Sequence, residues 1–154
     1  MKFLGGSAVG FADVVETVFA TEDVKSGDFL CIDKDTGKYR KVASASDKVT
    51  HFVIAPGVGL GGNQATLIEG KTSSNIAYNK YEIKAGFGVP AIRRGIERYV
   101  ELGEAVEIND PVYLDPTTNL VCKTASASNI RIGNSVFAIA GEKGDVVAIS
   151  FDLL

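Results

Sequence analysis

The chain contains the same segment twice, and this duplication constrains the fold more than any other feature. Ten residues in a window of 25 recur 82 positions later without a gap. In the first copy they are Glu22, Val24, Asp28, Asp33, Thr36, Lys41 and the Ala-Ser-Ala-Ser run at 43–46. A second match, of residues 52–55 with 137–140, is offset by 85 positions and predicts a three-residue insertion in the second copy. Such a repeat is typical of one supersecondary unit used twice around a shared core, and we place the copies at about 22–69 and 104–151.

Short apolar runs alternate with turn residues along both copies, which predicts β-strands. Residues 29–32 and 112–114 each lead into an Asp-led turn, after which the chain returns, so each copy is expected to contain a hairpin. The returning and closing strands are predicted at 38–43, 52–55 and 65–69, and at 120–125, 136–140 and 145–151. Many short strands with frequent turns indicate an all-β sandwich or barrel.

The segment at 90–100, between the copies, leaves two alternatives open. Ile92, Ile96 and Tyr99 succeed one another at helical spacing. Gly95 disfavours a helix, however, and the duplication favours a strand near the end of the segment. We therefore expect at most one short helix in the chain.

The first twenty residues precede the repeat and have no counterpart in it. We expect them to form an N-terminal arm that packs on a neighbouring subunit, while residues 21–154 form a single domain. Deleting residues 2–15 is then expected to abolish association without unfolding the domain. Glycines interrupt the apolar start, and Asp13 and Glu16 come after it, a pattern unlike a secretory signal.

Charge and hydropathy argue against nucleic acid and membranes as partners. The net charge is −3 and the isoelectric point is near 5.2, whereas a general nucleic-acid binder needs a basic surface. No apolar run approaches the length of a membrane span. Cys31 aligns with Tyr113 and Cys122 aligns with Arg40, so the cysteines are not equivalent. We expect free thiols and leave their oxidation open.

Two segments imitate nucleotide-binding motifs. Residues 65–72 match a relaxed phosphate-loop pattern, in which Lys71 would hold phosphates and Thr72 a magnesium ion. The bulky, β-forming interior at 66–69 predicts a strand end and a polar turn instead. Residues 57–62 have a G-x-G-x-x-G spacing, but residues 63–69 favour a strand over the helix that a dinucleotide site needs, so we expect a flexible loop. A small nucleotide-binding protein using Lys71 and Thr72 remains the alternative from another class.

The other reactive side chains do not form a recognisable catalytic or metal-binding set. Asp33-x-Asp35 resembles the start of a calcium loop, but the later acidic ligands are missing, so turn formation is the favoured interpretation. His51 is the single histidine, which argues against a zinc cluster and predicts a half-buried or loop histidine rather than a general base. We expect no enzyme, no cofactor and no metal.

The second copy resembles the C-terminal half of small, β-rich capsid-associated proteins of tailed bacteriophages. The resemblance rests on the runs at 106–115, 120–125 and 144–149 and on Ile132-Gly133. Residues 24–30 resemble the N-terminal half, so the similarity covers roughly residues 20–154. The chain departs from the family pattern at Asn109, where glycine is usual, and at Asn134-Ser135, which interrupts an apolar run and indicates a bulge or an altered strand start.

The resemblance implies a capsid decoration, or cement, protein on the outside of the virion. Its partner would be the major capsid protein, and it would be a homo-oligomer, a dimer or trimer, made in the bacterial cytoplasm. A head fibre or another self-assembling virion component is the alternative within the structural class. The resemblance carries no catalytic residues to this chain.

Contact residues are expected outside the repeated segments, in the arm, in the loop at 57–63 and in the stretch 70–100. Arg93, Arg94 and Arg98 form the one basic cluster of the sequence. They indicate a solvated or interface face or, more sharply, a surface for an acidic partner. The interface candidates are Phe3, Leu4, Phe11, Val58, Leu60, Asn63, Tyr78, Arg93, Arg94 and Arg98.

Overall fold

A computed structural model describes residues 14–54 and 82–153, with the backbone alone at 96–99. These residues form strands joined by turns, with no helix among them, so the all-β prediction is confirmed. The strands are β1 (Val14–Phe19), β2 (Val24–Lys25), β3 (Phe29–Ile32), β4 (Tyr39–Lys41), β5 (His51–Val53), β6 (Glu82–Ile83), β7 (Gly88–Glu101), β8 (Pro111–Asp115), β9 (Leu120–Cys122), β10 (Ile130–Phe137) and β11 (Val146–Asp152).

One curled antiparallel sheet, shaped like half a barrel, contains nine of the described strands. Its order is β4-β3-β5-β7-β11-β10-β8-β9, with β1 also paired to β7, while β2 and β6 form a separate two-stranded sheet. The β3–β4 and β8–β9 pairs are the two predicted hairpins.

The long strand β7 occupies the segment where a short helix was the alternative, and the strand interpretation is correct. Its first half pairs with β1 and β5, and its second half pairs with β11. Gly95 has φ 135, which lies outside the helical region and is accessible to glycine. Pairing along the whole length therefore overrides the helical spacing of the apolar residues.

The two copies meet within β7, which closes the first and opens the second. The parallel bridges Ala20↔Tyr39 and Leu102↔Val121 are 82 positions apart, so β1 and the second half of β7 enter their copies in the same way. Residues 14–19 of the predicted arm therefore belong to the domain's own sheet and do have a counterpart. Residues 1–13 lie outside the described residues.

The hydrogen bonds also correct the predicted alignment of the later strands. The main-chain oxygen of Asp28 accepts from the N–H of Val53, and that of Asp110 accepts from the N–H of Phe137. Val53 and Phe137 are therefore equivalent at an offset of 84, which means two inserted residues rather than three. The local similarity of the two Phe-x-Ile-Ala runs misplaced the register by one residue.

The closing strand of the first copy lies later in the chain than predicted. Gly86 N–H donates to the oxygen of Ala20, and Gly144 N–H donates to the oxygen of Leu102. The start of β7 is thus the counterpart of β11 at an offset of 58, while the strand predicted at 65–69 lies outside the described residues. The first copy consequently has a much longer connection after Ile54 than the second copy has after Phe137.

The core is aromatic at its centre. Phe52 packs against Phe29 with ring centroids 4.9 Å apart and stacks on Phe151 at 4.8 Å. All three are buried, as are the apolar residues that alternate along β11. Since Phe29 and Phe52 come from the first copy and Phe151 from the second, the two copies share this cluster. A second buried cluster, which includes Leu30 and Val89, belongs to the first copy.

Candidate functional site: a charged cavity and an apolar edge

The carboxylates that recur in both copies hold the backbone in place. Glu22 accepts from the N–H of Lys41 at 2.8 Å, and Glu104 accepts from the N–H of Lys123 at 2.7 Å. Each Glu thereby fastens the entrance of its copy to the second strand of the hairpin. The repeated acids thus have a structural role in both copies. The residues that the two copies share are therefore residues whose interactions stabilise the fold.

The aspartates that begin the turns also hold the backbone in place. The N–H groups of Thr36 and Asp35 donate to Asp33 and hold the pKa of that carboxyl below its usual value. Asp115 accepts from the N–H of Thr117 at 2.9 Å in the second copy. Within residues 14–54 and 82–153, no group of three or more metal-ligating side chains converges on one point.

Two asparagines replace glycines at positions where the chain is left-handed. Asn109 has φ 70 where its counterpart Gly27 has φ 97, and Asn119 has φ 60 where Gly37 has φ 69. Asparagine tolerates this region better than other non-glycine residues because its short side chain bonds locally. The departure at Asn109 is therefore compatible with the repeated turn.

A cavity of about 640 Å³ lies beside the first hairpin and beside the connector, the segment that joins β4 to β5. Most of its wall is charged, and the closing strand β7 and the C-terminal segment complete it. The lining residues are Ile32, Asp33, Lys34, Asp35, Arg40, Ser46, Asp47, Lys48, Thr50, Arg93 and Leu153.

Arg40 and Asp47 make the strongest ion pair of this wall. Both carboxylate oxygens of Asp47 accept from the Arg40 guanidinium, at 2.7 and 3.0 Å. The Arg40 hydrogen bonds, helped by the N–H groups of Ala43 and Ser44, hold the pKa of Asp47 far below its usual value. In the second copy the corresponding pair is Cys122 and Asn129, whose Nδ2 lies 3.2 Å from the Cys122 Sγ.

Behind the cavity, His51 is buried between two polar partners. Its Nε2 lies 2.8 Å from Glu16 Oε2, and its Nδ1 lies 3.0 Å from Thr50 Oγ1. Burial holds the pKa of His51 below its ordinary value, while the hydrogen bond from His51 lowers the pKa of Glu16. At neutral pH the imidazole is therefore neutral and donates from Nε2 to the carboxylate. The Thr50 hydroxyl, which also donates to the main-chain oxygen of Leu30 at 3.2 Å, shares its one proton between that oxygen and Nδ1.

Arg93 lies at the junction of this cluster and the cavity. Its Nη1 is 3.7 Å from Glu16 Oε1, and its side chain is 32% exposed. The Nε atom is nevertheless buried and has no hydrogen-bond partner among the described residues. The guanidinium thus enters the cavity wall with an unused donor.

A second feature is the apolar, outward face of β1. Val15 and Phe19 alternate with inward residues and are 53% and 59% exposed. Phe87, beside the Phe19 partner Gly88, is 67% exposed. Among the described strands β1 pairs with β7 alone, so no strand of residues 14–54 and 82–153 pairs with the other edge of β1. An exposed apolar strand with a free edge is a surface on which other chains pair readily.

The predicted arginine cluster is divided between two places. Arg93 lines the large cavity, whereas Arg94, the next residue on the strand, lines a separate pocket with Asn134 and Asp152. Of Arg98 the backbone alone is described. Seven interface candidates lie outside the described residues, as do Lys71, Thr72 and the loop at 57–63: Phe3, Leu4, Phe11, Val58, Leu60, Asn63 and Tyr78.

Sequence reasoning missed Glu16, Phe19 and Phe87. Residues 14–19 alternate in the way that is typical of a strand, with Val14, Glu16 and Val18 on one face and Val15, Thr17 and Phe19 on the other. The predicted N-terminal arm included these residues, so the strand was missed. Cys31 is buried and Cys122 half-buried, and both thiols are free, as predicted.

Comparisons with known proteins add no identity. No protein-family model matches the chain, and no curated protein matches it significantly. No helix in the described part of the chain is long and apolar enough to cross a membrane.

Proposed function

We propose that this protein is a bacteriophage capsid decoration protein that binds the outer surface of the shell and stabilises it. The proposal joins the sequence resemblance to capsid-associated proteins with one structural observation, the exposed apolar face of β1. Partner, oligomer formation and virion location are parts of the same proposal.

The β1 surface, formed by Val15 and Phe19 of β1 and the neighbouring Phe87, has the properties that a lattice contact needs. It combines exposed aromatic area at Phe19 and Phe87 with an edge of β1 that pairs with no strand in the described part of the chain. Burying a large apolar side chain contributes about 1.5–3 kcal/mol, so two phenylalanines provide a modest interface. On a symmetric shell many copies of a modest contact act together, and avidity replaces a deep binding site.

Co-sedimentation with purified capsids tests this proposal. The capsids come from a phage stock in which the gene for this chain is deleted, so that their binding sites are free. The double variant Phe19→Ser/Phe87→Ser is compared with wild type at matched concentrations. We expect at least hundredfold weaker capsid binding because the variant lacks both of the apolar side chains that the contact would bury.

Ile108→Ser is the matched control. Ile108 is 58% exposed, like Phe19, but lies in a turn of the second copy. It should bind capsids as wild type does, and circular dichroism should give equal folding for all the proteins. Wild type that stays in the supernatant with gene-deleted capsids would contradict the proposed function. Equal loss of binding in Ile108→Ser would show that β1 is not the contact.

The N-terminal deletion needs a new boundary. Removing residues 2–15 would take Val14 and Val15 out of β1 and thereby disturb the sheet. A deletion of residues 2–12 leaves the strand intact and tests the arm itself. Loss of capsid binding with unchanged thermal stability would support a contact by the arm.

A further inference from the structure

The charges of the large cavity belong to the first copy alone. Its side chains at 34, 35, 40, 47 and 48 correspond, 82 positions later, to Pro116, Thr117, Cys122, Asn129 and Ile130. On the closing strand, Arg93 corresponds to Phe151 at the offset of 58. The second copy builds the same hairpin and connector with uncharged residues at these positions. Among the charged residues of the wall, only Asp33 has an acidic counterpart, Asp115, and both serve the turn. The fold therefore does not require the other charges.

Arg93 provides an independent observation. Its Nε is buried and has no hydrogen-bond partner within the described part of the chain. The neighbouring carboxylate, Glu16, uses Oε2 to bind His51 and leaves Oε1 3.7 Å from Arg93, too far for a hydrogen bond. A buried N–H without an acceptor is unfavourable and requires an explanation.

The remaining cations of the wall favour a negative ligand. Arg40 is already committed to Asp47 and, at 3.6 Å, to Asp33. Lys34 and Lys48 are exposed at the cavity and make no ion pair with a described residue. Four cations and three carboxylates line the cavity, and Glu16, which is ion-paired with Arg93, adds a fourth carboxylate behind the wall. The two lysines are therefore the cations that have no ion-pair partner among the described residues.

We propose that this cavity binds an oxyanion, a carboxylate or a phosphate group, with Arg93 as its principal donor and Lys48 or Lys34 at its rim. A planar guanidinium matches the two oxygens of such a group. The site is separate from the β1 surface, so it stands or falls independently of the proposed capsid contact.

Isothermal titration calorimetry on the full chain tests the site with two probes. Inorganic phosphate represents a free oxyanion, and the capped peptide acetyl-Glu-Glu-Glu-amide represents carboxylates of a protein partner, with its Gln analogue as blank. Sodium chloride keeps the ionic strength constant. We expect saturable binding of at least one probe, at least about tenfold weaker in Arg93→Gln.

Arg94→Gln is the matched control, since it removes the same charge from the adjacent residue at a different pocket. It should bind like wild type, and Arg93→Lys should bind with intermediate affinity because it keeps the charge without the planar fork. Preference for phosphate would assign the site to a free ion, and preference for the peptide would assign it to a partner's carboxylates.

Three results would overturn the site. They are no saturable binding of either probe, equal binding by Arg93→Gln and wild type, and equal weakening in both arginine variants. If Arg93→Gln does not fold, Lys48→Gln and Lys34→Gln decide instead. Unchanged affinity in both lysine variants and in Arg93→Lys would then overturn the proposal.

Discussion

Gly133 has less room for an added methyl group than the other glycines compared in the described part of the chain. It lies in β10 at φ 49, a left-handed conformation, within the bulge between Arg131 and Val136, where the sequence predicted either a bulge or an altered strand start. A Cβ atom built at Gly133 would be 2.2 Å from the main-chain oxygen of Asp152. Because that oxygen belongs to the backbone of β11, it cannot swing away as the end of a side chain can.

The cost of Gly133→Ala has two parts. Placing alanine in a left-handed conformation costs roughly 1–2 kcal/mol. Forcing β10 and β11 apart adds an overpacking cost of about 1–3 kcal/mol. The bulge is further held by Arg131, which donates to the oxygens of Val112 and Ser135 at 2.9 and 2.8 Å, so the strand has little freedom to relax. We expect a total loss of about 2–5 kcal/mol.

Urea unfolding and thermal denaturation of Gly133→Ala and Gly37→Ala measure this cost. Gly37 also has a positive φ, 69, but nothing lies within 4 Å of the added Cβ, so it reports the backbone cost alone. Gly133→Ala should lower the melting temperature by roughly 5–15 °C, and Gly37→Ala by clearly less. Equal losses in the two variants would refute the argument that β11 crowds Gly133.

Three further outcomes are expected from the comparison of the copies and from the buried histidine. Asp47→Asn should lower the free energy of unfolding by about 2 kcal/mol through the lost charge-assisted bonds. The double variant Arg40→Cys/Asp47→Asn reproduces the pair found in the second copy. In a double-mutant cycle its loss of stability should be about 1 kcal/mol smaller than the sum of the losses in the two single variants. Asn119→Gly should leave the free energy of unfolding nearly unchanged, whereas Asn119→Ala should lower it by about 1 kcal/mol, as measured in urea. Burial lowers the folded-state pKa of His51 below 6.5, so its contribution to stability is present above pH 6.5 and is lost as the pH falls toward the folded pKa. Wild type should lose up to about 1.4 kcal/mol per pH unit in this window relative to His51→Gln, and parallel pH profiles would contradict the assignment.

The strand content and the hairpins were predictable because both depend on neighbouring residues. Asp33 and Asp115 bind the N–H groups of their own turns, and residues that form strands surround them. The left-handed turns were readable in the same way, from glycine or asparagine at the required positions. The residues that make these local interactions occur in both copies, so the repeat allowed them to be recognised in the sequence.

The register of the later strands was not predictable, because it depends on pairing across the sheet. β1 and the second half of β7 are equivalent in their hydrogen bonds, yet their sequences share almost nothing. The long connection after Ile54 hid the true closing strand, and a chance similarity shifted Phe137 by one residue. Pairing constrains backbone hydrogen bonds, and many different side chains satisfy it.

A duplicated, all-β domain with acid-led turns can be predicted from the amino-acid sequence, since those features depend on short-range hydrogen bonds and alternation. The tertiary structure was needed to show that the copies join through the single strand β7, that Glu16 contacts His51 and Arg93, and that Phe19 is exposed. Glu16 and His51 are far apart in the chain, and their contact exists because β1 and β5 both pair with β7. Long-range pairing brings residues together that no local pattern connects, and the charged cavity is one of its results.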